Sequence, residues 1–280
     1  MADLPLYAQI NIWMILGSAG IIFVACCFPF QHKTYIDVGN ETYELPRFCR
    51  ILPLNPPGTY DRVITLLYVA FTALIYATSC LEADTPPSPE ENMEPGGSII
   101  IAIINMLMAI VLYLPLIIRY LTVCYPLKRL KLQYCGDTLL CLVGIYMSII
   151  VFLNLTGLQD WIIEATDTPV TQKAVQSLQE ASAQDFIMLT INAVIIAPFV
   201  EEIVFRGFFF RILSCNLGVC LAAIISSLLF GAIHVSLAQT ASLTIFGLFQ
   251  CFLYKKTQSI IYPMLLHMAF NSISVITIVI

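Results

Sequence analysis

The chain has 280 residues, of which 59% are apolar and only 11% charged, with a formal net charge of −5. An ordinary soluble domain is roughly 25% charged, so the composition excludes a water-soluble globular protein, and the acidic balance gives no sign of nucleic-acid binding. The expected class is an all-α, polytopic, integral membrane protein with about eight transmembrane helices and contacts to membrane lipid.

In chain order, the first apolar run is Ala8 to Phe28. It lacks a basic flank and is too long for a signal core, so it reads as a first span and not a cleavable leader. Val63 to Leu81, Ile99 to Ile118 and Thr138 to Leu158 follow as spans two to four. Span five, Phe186 to Ile212, is less uniform because it carries charges; Leu217 to Val235, Leu237 to Leu253 and Ile260 to Ile280 complete the set. At about 1.5 Å of rise per residue the clearer runs can cross a hydrocarbon core about 30 Å thick.

All the basic residues except Lys173 fall on one side of this arrangement: Lys33, Arg47, Arg50 and Arg62; Arg119, Lys128, Arg129 and Lys131; Arg206 and Arg211; Lys255 and Lys256. The positive-inside rule then puts both termini on the outside, non-cytoplasmic face. The loop Glu82 to Gly97 has no basic residue and Gln159 to Asp185 is mostly acidic and polar, which agrees with an outside position. The sequon at Asn40 falls inside, where no glycan is expected. None of the ten cysteines lies in an outside loop, so they read as buried hydrophobes or reduced thiols and not as a disulfide framework. The aromatic run Phe208 to Phe210 reads as lipid-facing or interfacial packing.

Ionisable residues within membrane spans cost about 2.5 to 3.5 kcal/mol each at a helix centre and rarely sit there idly. Here they gather in the last third of the chain: Glu201, Glu202 and Arg206 in span five, His234 at the end of span six, and His267 with Asn271 in span eight. Glu202 and Arg206 are four apart, as are Phe230 and His234, and His267 and Asn271, so each pair shares a helix face. Pro198 removes a backbone hydrogen bond just before Glu201 and should kink or loosen the helix there, which suits a cavity wall. Adjacent glutamates point about 100° apart on a helix. Glu202 is in register with Arg206 and suits an anchoring ion pair, whereas Glu201 has Phe205 four residues on and is free to take a proton from water.

Glu201-Glu202-x-x-x-Arg206, Phe230-x-x-x-His234 and His267-x-x-x-Asn271, in that order, resemble the signature of the CAAX-protease and bacteriocin-processing (CPBP, or Abi) family of intramembrane proteases. The resemblance covers roughly Ala183 to Val275. It divides the chain into residues 1–182, four spans with loops that match nothing, and a protease-like core over 183–280. It implies hydrolysis of a peptide bond in a membrane-associated or lipidated protein, including prenylated CAAX proteins. In the family's terms Glu201 acts as general base on a water, His234 holds and polarises that water, and His267 and Asn271 stabilise the oxyanion. Glu202, Arg206 and Phe230 would be supporting residues. Glu201, His234 and His267 could alternatively bind zinc. No His-Glu-x-x-His helix is present, and the favoured reading needs no metal or other cofactor.

Motifs of aspartyl, rhomboid and site-2 intramembrane proteases are absent. An alternative of another class is a catalytically silent scaffold, or an immunity-type binding protein, that holds partner helices in the same polar pocket. The sequence leaves the oligomeric state open. One conflict remains in the sequence: a straight span six from Leu217 lifts His234 about 25 Å, whereas His267 lies about two turns into span eight. Tilt, a kink at Gly231, or a start of span six outside the hydrocarbon would be needed to bring them together.

Overall fold

The computed structural model describes residues 131–166, 173–234 and 236–279, with two short strands at 35–38 and 41–44 and isolated helical residues at Ile10, Met14, Gly17, Ile21, Arg62, Val63, Thr65, Leu66, Leu114 and Ile118. Spans one to three as wholes, the loop 82–97, Asn40 and the cysteines before Cys135 lie outside the described residues. The hairpin pairs β1, Tyr35–Val38, with β2, Glu41–Glu44, antiparallel, Tyr35 opposite Glu44 and Val38 opposite Glu41. Among the described residues it is the short exception to helices and turns.

Seven helical segments follow: α1 (Leu132–Ile149, continued by a π-helical stretch Ile150–Leu155), α2 (Leu158–Thr166), α3 (Lys173–Gln179), α4 (Ala183–Leu217), α5 (Val219–Ala232), α6 (Leu237–Thr257) and α7 (Ile261–Val279). Four of them, α1, α4, α6 and α7, are long and apolar enough to cross a membrane. Spans seven and eight match α6 and α7 closely, and span four starts six residues earlier than expected, at Leu132.

Spans five and six depart from expectation together. Ser182 caps α4, its hydroxyl accepting from the Asp185 backbone N–H, and the helix then runs 35 residues, about 52 Å at 1.5 Å per residue. It ends at Gly218, whose φ of +80° few residues with a Cβ adopt. The chain reverses there into α5, whose 14 residues reach only about 21 Å, short of a full crossing. Ser236 caps α6, which ends on Gln258 in a left-handed conformation, with Lys255 and Lys256 in its last turn, where cations favour the helix dipole.

The core is assembled from α4, α5, α6, α7 and α1. Phe208, Phe209 and Phe210 are buried in it, so the expected lipid-facing run is core instead. The reason is that α5 and α6 cover that face of α4: Phe205 meets the rings of Phe209 and Phe230 edge-on, and Phe210 meets Tyr254. Arg206 and Arg211 are buried too and do not form a solvated basic loop.

Helices α5 and α6 cross closely because glycines face their neighbours. A Cβ on Gly231 would stand 2.6 Å from the Thr240 carbonyl oxygen, and one on Gly247 would stand 2.8 Å from Ser227 Cβ. Small residues at such crossings let backbones approach; Gly231 therefore marks a contact and not a kink. From the N-terminal part of the sequence, α1 joins the same bundle: Tyr134 packs edge-on against Tyr262, Tyr146 stacks on Phe270, and Lys256 pairs with Asp137 at 2.7 Å. Met14 and Leu66 also pack against the core.

Candidate active site

The polar centre is built by three helices. Helix α4 brings Glu201, Glu202 and Arg206; α6 brings Gln250 and the Gly247 carbonyl; α7 brings His267 and Asn271. Both glutamates sit at the join between an α-helical turn, Ala197–Glu202, and a π-helical stretch, Ile203–Phe210. Such π stretches displace side chains from the regular register and recur at functional sites.

Glu202 is fully buried, and one of its oxygens, Oε1, collects three partners: Arg206 Nη1 at 3.0 Å, His267 Nδ1 at 2.8 Å and Gln250 Nε2 at 3.3 Å. Arg206 is equally buried. Its guanidinium also lies 4.6 Å over the Phe230 ring and donates to the Gly247 carbonyl at 3.5 Å. A buried charge survives only when paired and hydrogen-bonded, and this arrangement supplies both. The i, i+4 pair expected from the spacing is present.

Glu201 differs. Its side chain is 26% exposed, it accepts no hydrogen bond from the protein among the described residues, and its near neighbour is His267 Nε2, 3.8 Å from Oε2. His267 thus stands between the two glutamates. Its Nδ1 faces an acceptor-only carboxylate already engaged by Arg206, so that nitrogen carries a proton. In the neutral ring Nε2 then holds the lone pair. In the doubly protonated ring Nε2 becomes a donor, and the group Glu201, Glu202, Arg206 and His267 has no net charge.

His234 lies just past the end of α5, its Nδ1 2.8 Å from the Phe230 carbonyl oxygen. A carbonyl only accepts, which assigns the proton to Nδ1 and leaves Nε2 as an acceptor. The depth conflict disappears in the structure. Glu202 and His234 are equally distant in sequence from Gly218, so the α4–α5 reversal returns His234 towards the glutamates' level. The Phe230 ring touches both histidines, with centroid separations of 4.9 Å to His234 and 5.8 Å to His267. No hydrogen bond joins His234 to either glutamate among the described residues. Glu201, His234 and His267 do not converge as a three-ligand metal site among the described residues.

Pro198 bends the hydrogen-bond register without breaking the helix. Over Asn192–Ile196 the backbone is π-helical, and the Ala197 N–H donates to the Asn192 carbonyl, five residues back. The next bond of that register would run from residue 198 to the Ala193 carbonyl, and proline has no N–H to make it. The side-chain amide of Asn271 fills the place, Nδ2 donating to Ala193 O at 2.8 Å. Left bare, that carbonyl would cost about 1 to 3 kcal/mol.

Two participants escaped the sequence reading. Gln250 is fully buried against Glu202; the signal was an amide inside an apolar run. Phe246, whose ring centroid is 4.9 Å from that of His267, carries no signal that separates it from other core aromatics.

Comparison with known proteins falls on this region. Residues 183–273 match the family model described as "Type II CAAX prenyl endopeptidase Rce1-like". A curated relative from Bacillus subtilis (strain 168), named "Putative membrane peptidase YdiL", is 34% identical over 89 residues, which are 32% of this chain. The match spans 36% of that relative's length. No solved structure matches the chain. The match over residues 183–273 takes in Glu201, Glu202, His234, His267 and Asn271, and over that stretch the chain is similar to Rce1-like sequences.

Proposed function

We propose that the protein is an intramembrane endopeptidase that hydrolyses a peptide bond of a membrane-associated or lipidated polypeptide, with Glu201 activating the water. The observation that carries this reading is the asymmetry of the adjacent glutamates. Glu202 is buried with its Oε1 engaged by Arg206, His267 and Gln250, whereas Glu201 is partly exposed and faces His267 Nε2. One carboxylate is built as an anchor and the other is left available for chemistry.

In the proposed reaction the Glu201 carboxylate takes a proton from water as the water oxygen attacks the scissile carbonyl carbon. The resulting oxyanion is met by His267 Nε2–H when that ring carries both protons, a donor held in place beforehand by Glu202. Glu201 then returns its proton to the amide nitrogen as the C–N bond breaks. The lone pair on His234 Nε2 would accept from the same water. The family description favours a prenylated CAAX protein as substrate, and the distribution of basic residues favours both termini on the non-cytoplasmic face.

The test is cleavage by purified protein in liposomes of a peptide bearing a C-terminal prenylated CAAX sequence, beside its unprenylated form, with and without a tight zinc chelator. Cleavage unaffected by chelation is expected. Loss of cleavage that returns with zinc would replace the metal-free step, and an inert protein would favour a scaffold.

A further inference from the structure

We infer that Asn271 is a positioning residue: its amide replaces the backbone N–H that Pro198 lacks and so fixes the helix of His267 against the turn that carries Glu201. The reaction part of this inference rests on the function proposed above; the hydrogen-bond part does not.

Three observations meet here. The Ala197 N–H bonds five residues back to Asn192, so the π register hands the Ala193 carbonyl to residue 198, which is a proline. Asn271 Nδ2 occupies that acceptor at 2.8 Å, from another helix and 78 residues away. Asn271 is also one turn beyond His267 on the same face of α7, and His267 contacts both glutamates of α4. Helices α4 and α7 are therefore tied twice, once through the carboxylates and once through the carbonyl that proline exposes. Without the second tie, α7 could turn or slide relative to α4, and the 3.8 Å separation between His267 Nε2 and Glu201 Oε2 would no longer be fixed. An oxyanion donor must already be in place when charge develops, so such a shift would be felt in turnover before it is felt in substrate binding.

Proline and asparagine thus act as one device, and each has a defined meaning only in the other's presence. Replacing Pro198 by alanine supplies the missing N–H to Ala193. The amide of Asn271 is then redundant.

A double-mutant cycle on the full-length protein in detergent or liposomes reads this directly, with Asn271→Leu placed in the natural and in the Pro198→Ala background. In the natural background N271L should lower the melting temperature and reduce kcat about 30- to 100-fold, with KM changed less than about threefold. In the P198A background the same substitution should lower the melting temperature by less than half as much and reduce kcat no more than about threefold. If Asn271 instead donates to the substrate oxyanion, kcat falls by about 10²- to 10³-fold in both backgrounds, and the inference is overturned. Equal melting losses in both backgrounds overturn it as well. Should N271L fail to fold, the smaller N271A takes its place. Recovery of yield only when P198A is present supports the device, and failure in both backgrounds refutes it. The melting arm needs no substrate: an additive cycle with active protein sinks the inference alone, and a coupled cycle with inert protein sinks the proposed function alone.

Discussion

Replacing Glu202 by glutamine should damage the fold before it damages the chemistry. Glu202 and Arg206 are both fully buried and 3.0 Å apart. With the carboxylate gone, Arg206 keeps the Gly247 carbonyl at 3.5 Å and the face of Phe230, neither of which carries a countercharge. Breaking a buried pair by removing one partner costs about 3 to 5 kcal/mol. For a chain of this size a loss of 1 kcal/mol lowers the melting temperature by about 2 to 4 °C, so E202Q should melt about 6 to 20 °C below the natural protein. The double variant E202Q/R206M should recover part of that loss, because two apolar or neutral groups of similar volume need no countercharge. Thermal unfolding in detergent, followed by loss of monodisperse protein, measures both. An E202Q protein that melts within about 2 °C of the natural one, or an R206M change that merely adds to the damage, would show that the pair does not hold these helices.

Gly247→Ala should destabilise by about 1 to 3 kcal/mol, since the new methyl would stand 2.8 Å from Ser227 Cβ and push α5 from α6; thermal melting checks it. Gln250→Leu should lower turnover more than stability, because Glu202 loses a donor at 3.3 Å that helps hold it for His267; kcat compared with melting temperature separates the two effects. Single cysteines within 82–97 in a cysteine-free background should react with an impermeant maleimide on intact cells, and ones within 119–137 should not. The reverse pattern would invert the topology.

Helical spacing alone was enough to pair Glu202 with Arg206 and to set Glu201 apart, because both relations are local to one turn. The lengths of spans five and six were not legible in the same way. Hydropathy averages over a window, whereas the boundary depends on Gly218 taking a positive φ and ending a helix that began at Ser182. That reversal is also what brings His234 and His267 to a common neighbour, Phe230. The burial of Phe208 to Phe210 followed from which helices cover α4, a tertiary fact that an aromatic run does not encode. Pro198 announced an irregularity at the right place. Its consequence, a carbonyl capped from α7 by Asn271, depends on a π register and on a contact 78 residues distant, and neither is written in the local sequence.

The central claim is that Glu201 carries the chemistry while its neighbour carries the structure. The most direct measurement compares natural protein and Glu201→Gln, reconstituted in the same liposomes, on one prenylated peptide with products read by mass spectrometry. Because Glu201 is partly exposed and lies outside the Glu202–Arg206 pair, E201Q should melt with the natural protein and cleave nothing. Cleavage by E201Q at the natural rate, above all if a well-folded E202Q were inactive, would contradict the account.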